Sequence, residues 1–136
     1  MFTAETQIRV RYGETDQMGF VYYGNYPEYF EVARVEALRE LGLTYRKMEE
    51  DGVGLPVVHI NIDYKKAARY DDLITIKTQI PELPGTKIKF QHEVFNENGE
   101  LLTKASIVLV FVNIKTFRPI RCPQPLLEGL SPYYKK

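Results

Sequence analysis

Residues 27–42 read PEYFEVARVEALRELG, and how this stretch folds decides the architecture of the 136-residue chain. Phe30, Ala33, Ala37, Leu38 and Leu41 recur three and four positions apart, the spacing that gathers apolar side chains on one helical face. Pro27 suits a first helical turn, where its missing amide hydrogen would have had no partner, and Glu28 favours the same positive end. Asn25 is placed to cap that end and Gly42 to terminate the other. Such a helix needs a cover for its apolar face, and the rest of the chain offers mainly strands.

Upstream, TQIRVRY (6–12) alternates with Ile8, Val10 and Tyr12 on one face, which predicts a first strand. Downstream, TYRKMEE (44–50) predicts a short second helix with Thr44 as cap and Gly52 as stop. Past Pro56 the period falls to two. Val58, Ile60, Ile62 and Tyr64 share a face in VVHINIDY (57–64), as do Ile74, Ile76, Thr78 and Ile80 in DLITIKTQI (72–80). Ile88, Phe90, His92 and Val94 align in TKIKFQHEVFN (86–96), and Asn98-Gly99 signals a tight turn into LLTKASIVLVFVN (101–113). The nearly continuous apolar run from Ile107 to Val112 predicts a central strand covered on both faces. Pro119, Pro123 and Pro125 are expected to break up the tail. The fold class that follows is α+β: an antiparallel sheet of about five strands wrapped around one long helix, in one domain over residues 1–136. Its open sheet edges suit contact with another subunit.

Composition narrows the function. With 18 basic and 18 acidic residues, 44% apolar and 12% aromatic, the chain belongs with compact soluble proteins and lacks the charge excess of a nucleic-acid or membrane surface. Residues 101–136 nevertheless carry six basic side chains against Glu128 alone, a balance that suits an anionic ligand if the cations cluster. Cys122 is the only cysteine, so no intrachain disulfide can form, and a cytoplasmic location is expected. No signal-peptide pattern or bilayer-length apolar run is present. Zinc-binding spacings, a nucleophile elbow and glycine-rich phosphate loops are also missing, so no metal or cofactor is expected. His92 reads as a core or interface histidine and Cys122 as a bystander thiol.

The segment ETDQMGFVYYGNYPEY (14–29) is richer than a connecting loop requires. Asp16 lies between the first strand and the helix start, where a carboxylate can attack a carbonyl or activate water; it can equally close a local Asx-turn. Backbone amides around Gly24, Asn25 and Tyr26 are candidate donors to an oxyanion. Tyr22, Tyr23, Tyr26 and Tyr29 offer apolar faces with hydroxyl tips for an acyl group, with at least two of them expected to fill core or interface instead. Lys65, Lys66 and Arg69 in KKAAR form a candidate phosphate site, joined by Lys87, Lys89 or Lys104 from adjoining strands, or else an ordinary solvated face.

Taken together, RVRYGETDQMGFVYYGNYPEYFEVARVEAL and the strand-forming run VVHINIDYKKAARYDDLITIKT resemble the hotdog-fold acyl-CoA thioesterases, specifically the 4-hydroxybenzoyl-CoA and Tol-Pal-associated group. Tyr12, Thr15, Asp16, Gly19, Val21, Tyr22, Asn25 and Tyr26 carry the resemblance in order. It implies a sheet wrapped around the helix, a homodimer joining two sheets or a tetramer of such dimers, active sites at the subunit interface, and Asp16 as nucleophile or general base on the thioester. Tyr23 stands where many members carry histidine, and Ala67 where proline is common. The implied activity is hydrolysis of a small or medium acyl-CoA, with a non-hydrolytic acyl-CoA-binding module as the alternative.

Overall fold

The computed structural model describes residues 1–134. The stretch that decides the fold forms helix α1, Tyr26–Glu40, with Pro27 in its first turn. Phe30, Ala33, Ala37 and Leu38 are all buried to 1% exposure or less, so the apolar face lies fully against the sheet. Gly42 follows with a φ of +80°, a left-handed conformation that glycine adopts without a Cβ clash. Asn25 does not cap through its side chain; its amide group serves the preceding loop instead.

The covering sheet consists of β1 (Phe2–Arg9), β3 (Val57–Tyr64), β4 (Leu73–Ile80), β5 (Lys87–Phe95) and β6 (Leu101–Val110), in the spatial order β1-β4-β5-β6-β3 with every pair antiparallel. This is the α+β hotdog arrangement, a sheet curled around one long helix. Ile74, Ile76, Thr78 and Ile80 of β4 and Ile88, Phe90, His92 and Val94 of β5 all point into the core, as their alternation requires. The turn between β5 and β6 has Gly99 at φ +77°, while the Asn96 side chain accepts from the amides of Asn98 and Glu100. Short helix α2 (Tyr45–Glu50) begins where Thr44 Oγ1 accepts the Lys47 amide at 3.0 Å.

Four expectations change. Strand β1 begins at Phe2 and ends at Arg9, so Tyr12 leaves the sheet and stands 78% exposed in a 3-10 turn. Strand β6 is covered on one face only: Ile107 and Leu109 are buried, whereas Val108 and Val110 remain half-exposed on the convex side. Two residues farther on, Val112–Asn113 (β7) pairs with Val53–Gly54 (β2) in a small second sheet that lies below the length at which alternation is readable. The tail is not broken up by its prolines, because Pro125 falls in the first turn of α3 (Gln124–Leu130), where proline is tolerated; Leu126 and Leu130 anchor that helix in the core. Strand β3 lies at one edge and does not share an inward face: Val58, Ile60 and Tyr64 are exposed and only Ile62 is half-buried. No helix among the described residues is long and apolar enough to cross a membrane.

Candidate active site

The loop between β1 and α1 is built from backbone hydrogen bonds that close short rings. A 3-10 turn at Tyr12–Glu14 turns the chain out of the sheet, and Thr15 Oγ1 donates to the Tyr12 carbonyl at 2.7 Å. The Asp16 amide then donates to the Phe20 carbonyl at 2.8 Å and the Gly19 amide to the Asp16 carbonyl at 3.0 Å. This tight loop requires φ +82° at Gly19. Asp16 Oδ1 accepts from the amides of Met18 (2.9 Å) and Phe20 (3.2 Å), so the carboxylate does close an Asx-turn. Its Oδ2 accepts no hydrogen bond among the described residues. One oxygen fixes the group while the other stays available, and Asp16 itself is half-buried.

A second 3-10 turn, Tyr23–Asn25, runs directly into α1. The Asn25 amide donates to Tyr22 O at 2.9 Å and the Tyr26 amide to Tyr23 O, so neither amide is free for a ligand. The amides of Tyr23 and Gly24 donate to no carbonyl among the described residues. The available donors therefore begin one residue earlier than the sequence suggests, because the helix is entered through a tighter turn whose first amides are the unpaired ones. At Gly24 a Cβ would lie 2.6 Å from the Tyr22 ring, which packs over this turn.

Asp16, Tyr23 and Tyr26 line one cleft of about 320 Å³ with Lys65, Lys66, Ala67 and the unforeseen Tyr64. Met18, Phe20 and Val21 complete its wall. Tyr64 reaches in from β3: its hydroxyl donates to the Tyr23 carbonyl at 3.1 Å and its ring meets that of Tyr26 edge-on at 5.3 Å. Burial raises the Tyr26 hydroxyl pKa, which keeps that group protonated and able to donate. The other side of the Asp16 loop faces a wider hollow of about 740 Å³ between Tyr12 and Tyr70.

Not every expected site residue joins this cleft. Gly24, Asn25 and Tyr22 lie outside its lining, and Tyr29 is buried beneath the loop, donating to Glu14 Oε1 at 2.9 Å. The Arg69 guanidinium packs 4.7 Å above the Phe20 ring, while Lys66 Nζ is paired with Glu100 Oε2 at 2.5 Å. Lys65 makes no ion pair among the described residues. Lys87, Lys89 and Lys104 lie away from the cleft, beside depressions elsewhere on the sheet. His92 is buried at 1% exposure, and burial, helped by Arg34, pushes its pKa down to about 3. Cys122 is also buried, and that burial raises its thiol to about 12, far from a nucleophilic thiolate. No cluster of three His, Cys, Asp or Glu among the described residues could hold a metal ion.

A half-free carboxylate, two unpaired amides, an apolar wall and lysines at the rim are the parts needed to bind an anionic conjugate and attack its carbonyl. Known proteins with this chain's pattern point to the same chemistry. A putative acyl-CoA thioesterase, YneP, from Bacillus subtilis (strain 168) is 40% identical over 135 residues, covering 99% of this chain and 98% of that protein. The acyl-CoA thioesterase YbgC of Haemophilus influenzae is 35% identical over 118 residues, 86% of each chain. The crystal structure of a DHNA-CoA thioesterase from Staphylococcus aureus superposes with a TM-score of 0.86 at 38% identity, covering 98% of this chain and 85% of that one. The model of the thioesterase-like superfamily matches residues 10–130, a span that takes in the Asp16 loop, α1 and all of the sheet but β1, and the chain belongs to that hotdog-fold superfamily.

Proposed function

We propose that this protein hydrolyses small or medium acyl-CoA thioesters to the free acid and CoA. The observation that supports this reading is Asp16, which lines the same cleft as Tyr23 and has one oxygen held by loop amides while the other accepts no hydrogen bond among the described residues. In this reading the thioester carbonyl oxygen accepts from the amide of Tyr23, which lines the cleft, and from that of the adjoining Gly24 as negative charge develops. Asp16 then either attacks the carbonyl carbon, expelling the CoA thiolate and leaving an acyl-Asp16 anhydride that water hydrolyses to the free acid, or removes a proton from the water that attacks, with the CoA thiolate departing and taking up that proton. The acyl group lies against Tyr23, Tyr26 and Phe20, while Lys65 and Lys66 attract the CoA phosphates at the rim. The full chain, residues 1–136, works as one cytoplasmic domain.

The same reading includes a homodimer, or a tetramer of dimers. Support comes from the β3 edge, where Val57, Val58, Ile60 and Tyr64 are exposed beside unpaired backbone. Because Tyr64 of β3 also lines the cleft, a second copy seated on this edge would border the site. An Ile60→Lys variant is expected to shift the assembly to monomer in analytical ultracentrifugation; an unchanged sedimentation coefficient would exclude β3 as the joint.

Hydrolysis is tested by following free-thiol release from aromatic, short-chain and medium-chain acyl-CoAs with wild type and Asp16→Asn side by side. Thiol release that depends on Asp16 supports the reading. Tight acyl-CoA binding without thiol release would assign the protein as a binding module instead, a role that the exchange of histidine for Tyr23 makes specific enough to test.

A further inference from the structure

Glu14, two residues before Asp16, takes no part in the chemistry above, yet it is the most heavily hydrogen-bonded side chain of the loop. Its Oε1 accepts from the Arg11 amide at 2.8 Å and from the Tyr29 hydroxyl at 2.9 Å. Its Oε2 accepts from Arg11 Nη2 at 2.8 Å and Nε at 3.2 Å. Its carbonyl accepts from the Tyr22 amide at 2.9 Å and Asn25 Nδ2 at 2.7 Å, and its own amide donates to the Arg11 carbonyl at 3.0 Å. Only 9% of the residue is exposed.

These bonds tie together three pieces that the site needs in fixed relation. Through Tyr29 the carboxylate is fastened to the first turn of α1; through Arg11 it is fastened to the exit from β1. Through its carbonyl it holds Tyr22 and Asn25, the residues on either side of the Tyr23–Gly24 amides. Asp16 hangs from the same backbone only two residues away. The Asp16–Phe20 backbone bond and the Thr15–Val21 bridge set part of the distance from Asp16 to the unpaired amides, and Glu14 adds the side-chain tie that fixes this loop to both α1 and the exit from β1. Catalysis by a carboxylate facing an oxyanion site depends steeply on that distance, since a displacement near 1 Å can cost about 100-fold.

We propose that Glu14 is a positioning residue, a buried clamp between helix α1 and the Asp16 loop that sets the spacing of the carboxylate from the Tyr23 and Gly24 amides. Asn25 and Tyr29 then act as its anchors, not as an oxyanion donor and an acyl-pocket wall. The inference rests on the hydrolase reading, and it assigns these three residues to kcat and not to substrate affinity.

The test compares Glu14→Gln, Glu14→Ala, Tyr29→Phe and Asp16→Asn, each alone, and Glu14→Gln combined with Asp16→Asn, using the acyl-CoA that wild type turns over fastest. Glutamine keeps an acceptor for the Arg11 amide and the Tyr29 hydroxyl but loses the charge facing the guanidinium. The expected order in kcat is wild type, then Glu14→Gln about tenfold lower, then Glu14→Ala lower still, with KM unchanged; Tyr29→Phe falls roughly threefold. Against the residual activity of Asp16→Asn, the Glu14 change adds nothing, because there is no longer a carboxylate to aim. Folded Glu14→Gln and Tyr29→Phe proteins with wild-type kcat overturn the clamp, as does an equal fractional loss with and without Asp16. If the Glu14 variants do not fold, Tyr29→Phe, alone and with Asp16→Asn, decides by the same two criteria. An Asp16→Asn protein as active as wild type overturns the hydrolase reading itself, whereas an inactive one beside unimpaired Glu14→Gln and Tyr29→Phe removes only the clamp.

Discussion

Helix α1 passes over two very different polar environments within two turns. In its first half, Phe30 stacks on the His92 ring at 4.9 Å with an interplanar angle of 11°, deep in the core. The imidazole shares one hydrogen bond with Thr78 Oγ1 at 3.0 Å, and its Nε2 has no partner among the described residues. At the helix entrance, Tyr22 and Tyr23 are exposed, Asp16 keeps an open oxygen and two backbone amides stay unpaired. An unpaired polar atom at the entrance can be hydrated until a ligand replaces the water, whereas one in the core carries the full penalty of lost solvation. An ionisable side chain alone thus marks neither region as a site; access by water and ligand separates them.

Substitution should separate the two regions cleanly. Phe30→Ala removes a fully buried ring and leaves a cavity over His92, with an expected loss of about 3–5 kcal/mol in unfolding free energy by urea titration. Asp16→Asn should do the reverse. Asparagine Oδ1 can still accept from the Met18 and Phe20 amides, so urea stability should stay within about 0.5 kcal/mol of wild type. The rate of thiol release should fall more than about 100-fold, equivalent to roughly 3 kcal/mol of transition-state stabilisation. A large stability loss in Asp16→Asn would mean that the loop is held by its charge, and the contrast between entrance and core would fail.

The core was readable from the chain because its signals are local and periodic. The inward sets on β4 and β5 and the apolar face of α1 follow from spacing alone. Strand β3 has the same alternation and still misleads, because its apolar face is left uncovered at a sheet edge, and what covers an edge is a question of assembly. In the site, the identity of Asp16 was visible but its neighbours were not. The entry turn at Tyr23–Asn25 moves the free amides back by one residue, a shift that helix capping rules do not anticipate. Glu14 escapes a reading of the sequence because its partners lie 3, 11 and 15 residues away, and two of them, Asn25 and Tyr29, read there as ligand contacts. Tyr64 escaped for a similar reason, since 41 residues separate it from the Tyr23 carbonyl it contacts.

Acid should distinguish the regions again. Burial, with Arg34 adding to it, lowers the His92 pKa from 6.5 to about 3, so the unfolded chain binds a proton there more readily than the folded one. Stability should therefore be full above pH 6.5 and fall as pH drops toward 3, by about 2 kcal/mol between pH 6.5 and 5. Glu14 adds to the loss only lower on the scale. Burial alone would raise its carboxyl pKa, but hydrogen bonds from Arg11 and Tyr29 outweigh that and lower it below 4.5, so its contribution is complete above 4.5 and disappears as pH falls through the lowered value. Urea titrations of a His92→Gln variant should lose the slope between pH 6.5 and 5 while keeping the one below it. Persistence of the upper slope would place the acid-sensitive group elsewhere.

The smallest effects belong to the rim of the cleft, where exposure weakens every charge. Lys65 and Lys66 are neighbours in sequence with different commitments: Lys66 is already paired with Glu100, and Lys65 is not. A CoA phosphate reaching Lys66 must displace a carboxylate, so the net gain there is the difference between two anions, while at Lys65 the whole attraction counts. Lys65→Ala is therefore expected to raise KM about two- to fivefold with kcat unchanged, and Lys66→Ala to raise it less, each contributing about 1 kcal/mol or below as exposed pairs do. Both increases should shrink at high salt, because screening removes the attraction from wild type as well. Glu100→Gln sharpens the distinction by releasing Lys66, and should lower KM in the wild-type background but not in Lys66→Ala. No KM change for either lysine at any ionic strength would show that phosphate contacts neither of them, leaving the aromatic wall of the entrance to hold the substrate.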